Sequence, residues 1–264
     1  MEKYVPLKTS LEVGGIRKPC GIIHEILASL TKVIKEGTTT AEISSFCEKA
    51  YETRGARSAL IGYRGFPGRI CTAVNHIAAH GIPDSQVLSD GDIVTVDITL
   101  EYRGWHGDAA WTYAVGRPGP DARRLLKAAW QATARGCRAA RAGGRFGDIG
   151  AVIQKTAERF GCTVLDNFVG HGIGRDVHEE PMVLNSGESD TGRPVVPGLV
   201  FTVEPILTLG RGKVKTLADG WTVVEDGGGL CAQFEHTVAV FGDRTDILTF
   251  PGERKPWDFE FPPY

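Results

Sequence analysis

The chain has 264 residues, a formal net charge of −2, 42% apolar and 23% charged residues, an ordinary composition for a globular protein with a sizeable core. That balance excludes a basic field for nucleic acid, no Lys/Arg run marks a membrane surface, and no apolar stretch reaches the roughly 18 residues of a membrane-spanning helix. Met1-Glu-Lys-Tyr4 lacks the apolar stretch of a secretory signal, and Cys20, Cys47, Cys71, Cys137, Cys162 and Cys231 show no CxxC pair or disulfide-like spacing, so a cytoplasmic protein with reduced, mostly buried thiols is expected.

Taken in chain order, Thr9 and Glu12 form a capping box, but Gly14, Gly15 and Pro19 weaken the first turns, so the helix predicted over 9–36 is strongest over 22–34. A second helix starts near Thr39, with Glu42 three residues on, and stops at Gly55. Residues 62–68, Gly-Tyr-Arg-Gly-Phe-Pro-Gly, are a loop of the kind that lines pockets, and 70–74 reads as a strand. Residues 91–108 read as a hairpin: Val94, Val96, Ile98 and Leu100 lie among β-branched neighbours, and Tyr102-Arg103-Gly104 supplies the turn. With 102 and 103 as the turn, facing pairs sum to 205 and Asp97 lies opposite Asp108. Opposed carboxylates repel, so either a cation lies between them or one faces water at the hairpin mouth.

Pro120-Asp121 opens an Ala-rich helix to about Arg141, and a fourth helix runs from about Asp148 to Phe160. From Thr163 the chain is short strands and glycine-rich turns, closing with a strand over 231–241. The tail over 242–264 carries Trp257, Phe259, Phe261 and Tyr264, which predicts that it packs on the body.

The hairpin segment recurs. Gly198-Leu-Val-Phe-Thr-Val-Glu-Pro-Ile-Leu lies 107 positions after Gly91 and places Glu204 on Asp97, Thr202 on Thr95 and Leu207 on Leu100. Gly37-Thr-Thr-Thr-Ala-Glu-Ile returns 106 residues later as Gly143-Gly-Arg-Phe-Gly-Asp-Ile, and His80-Gly-Ile returns as His171-Gly-Ile. We read two copies of one helix-helix-strand-strand unit related by a pseudo-twofold, with acidic residues converging in a concave site where the copies meet. The glycines of Gly170-His-Gly-Ile-Gly174 argue against regular structure, so His171 is expected on a loop, with His178 following in Val177-His-Glu-Glu-Pro181. Alternation in Gln233-Phe-Glu-His-Thr237 puts Phe234 and His236 on one face and Gln233 and Glu235 on the other, where Glu235 is costly to bury without a partner.

Asp97, Asp108, His171, Glu204 and Glu235 are a hard, oxygen-rich set, too many for a tetrahedral zinc site and suited to two divalent cations about 3.5–4 Å apart. Such a pair activates water and polarises a carbonyl, which is hydrolytic chemistry.

Together with His80-Gly-Ile-Pro83, Gly170-His-Gly-Ile-Gly174, Thr202-Val-Glu-Pro205 and Gln233-Phe-Glu-His-Thr237, this set closely resembles the bacterial-type, type I methionine aminopeptidases over nearly everything from Lys8 to about Thr249. The resemblance implies the pita-bread fold, an α/β (α+β) architecture in which two pseudo-symmetric halves, about 8–116 and 120–241, form a curved antiparallel sheet with helices on its outer face. It implies a single metallopeptidase domain over 1–249 followed by a tail over 250–264. It further implies two divalent metal ions (Co, Mn, Fe(II) or Zn), one chelated by Asp97, the other by His171 and Glu204, with Asp108 and Glu235 bridging. His80 and His178 would contact substrate, His178 steadying the oxyanion, Glu204 would transfer a proton, and Tyr63, Phe66, Cys71 and Trp221 would line the methionine pocket. The implied reaction removes the N-terminal Met of nascent polypeptides when the next residue is small, by attack of a metal-bridging hydroxide. The implied protein is a cytoplasmic monomer in transient contact with the ribosome, with no nucleic-acid specificity and no membrane partner.

Departures from the family pattern are Val177, where an aromatic residue usually precedes the histidine, Leu60 and Arg64 in the pocket loop, Asn75-His76, and a longer tail. Two rivals stand beside this reading: an Xaa-Pro peptidase, which normally adds a large amino-terminal domain for which the few residues before Lys8 leave no room, and a non-catalytic binding homologue, which is expected to have lost ligands.

Overall fold

In the computed structural model, which describes residues 4–259, 261 and 262, two capping boxes start the first two helices. The Thr9 hydroxyl accepts the Glu12 amide while the Glu12 carboxylate accepts the Thr9 amide, and Thr39 and Glu42 repeat the exchange. α1 (Ser10–Leu30) runs unbroken through Gly14, Gly15 and Pro19 and ends before residue 34, whereas α2 (Thr40–Glu52) keeps its expected limits. Tertiary packing explains why the weak turns of α1 hold. A Cβ on Gly15 would lie 2.3 Å from the Trp105 indole nitrogen, so the glycine is the seat of a tryptophan, and Ile16, Cys20, Ile23 and Leu27 are fully buried. α3 (Pro120–Ala139) opens with proline at its first position, and α4 (Phe146–Arg159) packs against it.

The hairpin forms from Ile93–Tyr102 and Trp105–Ala114, but its turn is Arg103-Gly104, one step beyond the expected place. Both turn residues have positive φ, 52° and 78°, the requirement of a type I′ turn, and Gly104 meets it at its second position. Facing pairs therefore sum to 207: Asp97 faces Ala110 and Asp108 faces Thr99. A displacement of two keeps every side chain on its expected face, so both carboxylates still point to one side, set diagonally rather than directly opposed.

All strand pairings are antiparallel. In the first half Ile93–Tyr102 is central, flanked by Trp105–Ala114 on one side and by Cys71–Val74 and Arg57–Ser58 on the other. In the second half a sheet runs in the order Thr245–Ile247, His236–Val240, Val200–Val203, Gly170–Gly172, Glu179–Val183. The halves meet where the Glu235 amide donates to the Ala110 carbonyl at 2.8 Å and the Thr237 hydroxyl to the Asp108 carbonyl at 2.7 Å. The strand expected over 231–241 breaks at Phe234-Glu235 into Cys231–Gln233 and His236–Val240, because the Glu235 amide bonds across the seam instead of along its own sheet. Phe234 and His236 share a face as expected, both rings meeting Trp130 edge to face.

The tail packs on the body: Trp257 and Phe259 lie against the core, and the Phe259 carbonyl accepts the Trp130 indole N–H at 3.2 Å. Phe261, expected to share in this, is instead 41% exposed, and Tyr264 lies outside the described residues. All six cysteines are free and buried. Adjacent glycines in α1 give a direct check on the packing. Gly14 has nothing near its would-be Cβ, so Gly14→Ala should stabilise the protein by about 0.5–1 kcal/mol in urea unfolding. Gly15→Ala should destabilise it by roughly 1–3 kcal/mol through the Trp105 clash.

Candidate metal centre

Each half delivers acids from two strand positions to the seam. Asp97 sits on the central strand of the first half and Asp108 on its partner; Glu204 follows the Val200–Val203 strand and Glu235 precedes His236–Val240. His171 comes not from a loop but from a three-residue strand, Gly170–Gly172. The glycines around it permit this. A Cβ on Gly170 would lie 2.3 Å from the Thr202 carbonyl and one on Gly172 2.1 Å from the Glu180 carbonyl, so neighbouring strands close on this one from both sides, with a register shift after His171.

The five residues converge. Ligand atoms of Asp108, His171 and Glu235 all lie within 4.8 Å of one another. His171 Nε2 is 3.6 Å from Asp108 Oδ2 and 3.5 Å from Glu204 Oε1, and the Asp97 and Asp108 side chains are hydrogen-bonded. Hydroxyl groups hold the carboxylates: Thr99 donates to Asp108 Oδ1 at 3.0 Å, and Thr202 donates to Glu204 Oε1 at 2.6 Å while accepting the His171 amide at 2.9 Å. These threonines escaped the sequence analysis as site residues, although Thr202 stood in the repeated segment; nothing in sequence distinguishes a hydroxyl aimed at a ligand from a β-former.

Desolvation dominates the electrostatics. Burial pushes Asp97 up to about 7, partly offset by its hydrogen bond with Asp108, and pushes Glu204 up to about 8. Asp108 and Glu235 rise well above the usual carboxylate range, from burial and then from the neighbouring carboxylates. Burial lowers His171 to about 4, so its imidazole is neutral and offers a lone pair. Two buried oxygens, Asp97 Oδ1 and Glu235 Oε1, have no hydrogen-bond partner. Buried carboxylates crowded together with unpartnered oxygens and a neutral imidazole are the donor set of divalent cations, so these residues fit metal ions.

Of the expected substrate-side residues, His178 lies against the cluster and Tyr63 against His178. The His178 and His171 ring centroids are 4.1 Å apart, and the Tyr63 hydroxyl lies 2.8 Å from His178 Nδ1 with the two rings stacked. Partial desolvation, then the neighbouring His171, Arg64 and His80, hold the His178 imidazole well below its usual value. Phe66 and Trp221 meet edge to face at 5.2 Å, and buried Cys71 stands opposite Asp97 in the ladder. His80, in the left-handed region at φ 55°, places its ring 6.0 Å from Phe168, a neighbour the sequence did not suggest. Of the departing residues, Val177 is buried, Arg64 is a left-handed residue in the loop beside Tyr63, and Asn75 braces a turn by donating to Asp92 Oδ1 and accepting the Ile93 amide.

This is a two-half α/β metallopeptidase architecture, and residues 14–241 match the model of metallopeptidase family M24. The chain is 41% identical over 242 residues to methionine aminopeptidase 1 of Bacillus subtilis, covering 92% of this chain and 98% of that protein. The crystal structure of methionine aminopeptidase from Rickettsia prowazekii superposes with a TM-score of 0.92 at 36% identity, covering 94% of this chain and all of that one. A prolidase from Pyrococcus furiosus shares the fold at a TM-score of 0.74 and 21% identity, but only 66% of that chain is covered. The chain belongs to family M24 and, within it, to the methionine aminopeptidases, with the pita-bread fold.

Because a raised carboxylate pKa favours the folded state only while the group is protonated, the metal-free protein should lose stability as pH rises from about 6.5 to 8, above the range in which His171, His178 and His236, held low by burial, act in the opposite sense. A falling melting temperature across that window, abolished by divalent metal and reduced in Asp97→Asn, is the expected result. Thr202→Val should weaken metal affinity by roughly 10–100-fold, read by competition with a chelating dye, with little change in fold.

Proposed function

We propose that the chain releases the N-terminal methionine of nascent proteins and peptides whose second residue is small, with the five converging residues as its metal ligands. The observation that carries this reading is the buried cluster of Asp97, Asp108, His171, Glu204 and Glu235 with its two unpartnered oxygens, with His178 and its stacked partner Tyr63 set against it. Asp97, Asp108, His171, Glu204 and Glu235 would hold two ions, drawn from Co, Mn, Fe(II) or Zn according to supply. When bound they lower the pKa of a shared water and polarise the scissile carbonyl.

The chain's own groups do the rest. Tyr63, Phe66, Cys71 and Trp221 form an apolar, aromatic surface suited to an unbranched thioether. Stacking and the Tyr63 hydroxyl fix the His178 ring at Nδ1, which leaves Nε2 as the nitrogen that donates to the oxyanion of the tetrahedral intermediate. His80 contacts substrate across the cleft, and Glu204, held by Thr202, moves the proton from water to the leaving amine. A raised pKa suits an acid that must give its proton back near neutral pH. We place the whole machinery in one domain over 1–249, working in the cytoplasm as a monomer that meets its substrates in transient contact with the ribosome.

The test is methionine release from Met-Ala and Met-Leu peptides by metal-stripped protein with each divalent ion restored separately. Release from Met-Ala only, and only with metal, is expected. Hydrolysis of an Ala-Pro peptide instead would assign it to the prolidase type, and no hydrolysis with any ion would sink the catalytic reading. Asp108→Ala and His171→Ala should each abolish turnover while leaving the circular dichroism spectrum unchanged.

A further inference from the structure

Between Gly170–Gly172 and Glu179–Val183 the chain makes a tight turn that carries Val177 and His178, and the charge built beneath this turn is unusual. Lys8 Nζ lies 2.5 Å from Glu179 Oε2, with side-chain exposures of only 7% and 9%. We propose that this buried ion pair is a clamp that sets the position of His178, making Lys8 a further positioning residue for the reaction. The inference rests on His178 being the substrate-facing donor.

Burial of two opposite charges rarely adds stability compared with an apolar pair of the same size, since desolvation offsets the attraction. What it supplies is a single geometry, and here both oxygens of Glu179 are engaged. Oε2 takes Lys8, while Oε1 accepts the Arg175 amide at 2.8 Å and the Asp176 amide at 3.3 Å, so the carboxylate is the internal cap of the turn. Gly174 leaves room for the pair as it stands, since a Cβ there would lie 2.7 Å from Lys8 Nζ and 2.8 Å from Glu179 Oε1. On the far side the Arg175 guanidinium sits 3.6 Å over Trp105 and donates to the Gly104 carbonyl at 3.0 Å, tying the turn to the hairpin tip.

Lys8 is itself fixed. Its amide donates to the Gly198 carbonyl at 2.7 Å, at the approach to the Val200–Val203 strand that leads into Glu204, and the next residue caps α1. The clamp thus refers His178 to the strand carrying a proposed ligand. A displacement near 1 Å of a group acting on the transition state costs as much as about 10²-fold in rate, which gives such a reference its value.

A double-mutant cycle on metal-loaded protein tests this, with a Met-Ala-Ser peptide as substrate and wild type, Lys8→Met, His178→Ala and the double variant compared. Lys8→Met should lower kcat by about 10-fold with KM and metal affinity nearly unchanged. Lys8→Arg should recover most of the loss, and in the His178→Ala background Lys8→Met should have no further effect on kcat. Should Lys8→Met fail to fold, Glu179→Gln, which keeps an acceptor for the two amides and removes the charge, runs the same cycle. An unchanged kcat, or an equal loss in both backgrounds, would overturn the clamp while His178→Ala stays impaired. Full kcat in His178→Ala would overturn the clamp by removing its premise, an outcome recognisably different from the first.

Discussion

Four carboxylates held together in a desolvated seam with one neutral imidazole are the constraint on which the rest of this structure depends. No fold places such a group in its interior for stability, since each buried anion raises the cost of the next. The protein holds it by drawing the four acids from four separate segments and anchoring three of them to backbone or hydroxyl before a cation arrives. Asp108 is held by Thr99, Glu204 by Thr202, and Glu235 by its amide bond across the seam. Oxygens left without partners are then oriented acceptors, so the reorganisation that binding would otherwise require is done during folding.

That requirement also accounts for the duplicated plan. A central strand flanked antiparallel on both sides brings one acid from the strand itself and another from its neighbour, and two such sheets meeting edge to edge place four acids at one point. The glycines beside His171 serve the same end: only without side chains at 170 and 172 can neighbouring strands close on the histidine strand from both sides. The helices, by contrast, do ordinary work. α1 covers the hairpin through Ile16, Cys20 and Ile23, and its sequence is poorer in helix formers than its position demands because Trp105 needs the space at Gly15.

Most of this was legible in the sequence. The capping boxes marked both helix starts, the repeat exposed the two halves, and all four acids and the histidine met where the repeat said they should. What was not legible has a common physical character. The turn moved by one residue because a type I′ turn needs positive φ at both central positions, and Gly104 fits the second of them; the side-chain faces survived because the register changed by two. Glycines around His171 spoke against regular structure by propensity, whereas steric closeness of the neighbouring strands decided the matter. The break at Glu235 depends on a bond to Ala110 more than a hundred residues away, which no local pattern records. Thr99 and Thr202 look like any β-branched residue until the carboxylates they donate to are in place.

Histidine 178 marks the boundary between what the ligands need and what the reaction needs. The ligands are fixed by the two sheets, but His178 stands on a turn at the edge of the second sheet, where strand pairing alone does not determine a ring's position. Everything that orders it comes from elsewhere in the chain: Tyr63 from the loop of the first half, Trp105 and Gly104 from the hairpin tip through Arg175, and Lys8 from ahead of α1 through Glu179. An oxyanion donor must be within a few tenths of an ångström of its place to favour the transition state over bound substrate. A turn free to open would satisfy binding and forfeit that difference. The three anchors all belong to the first half and the turn they hold to the second, so the site is completed only when the halves join, and a half-molecule would lack it even if its own sheet formed.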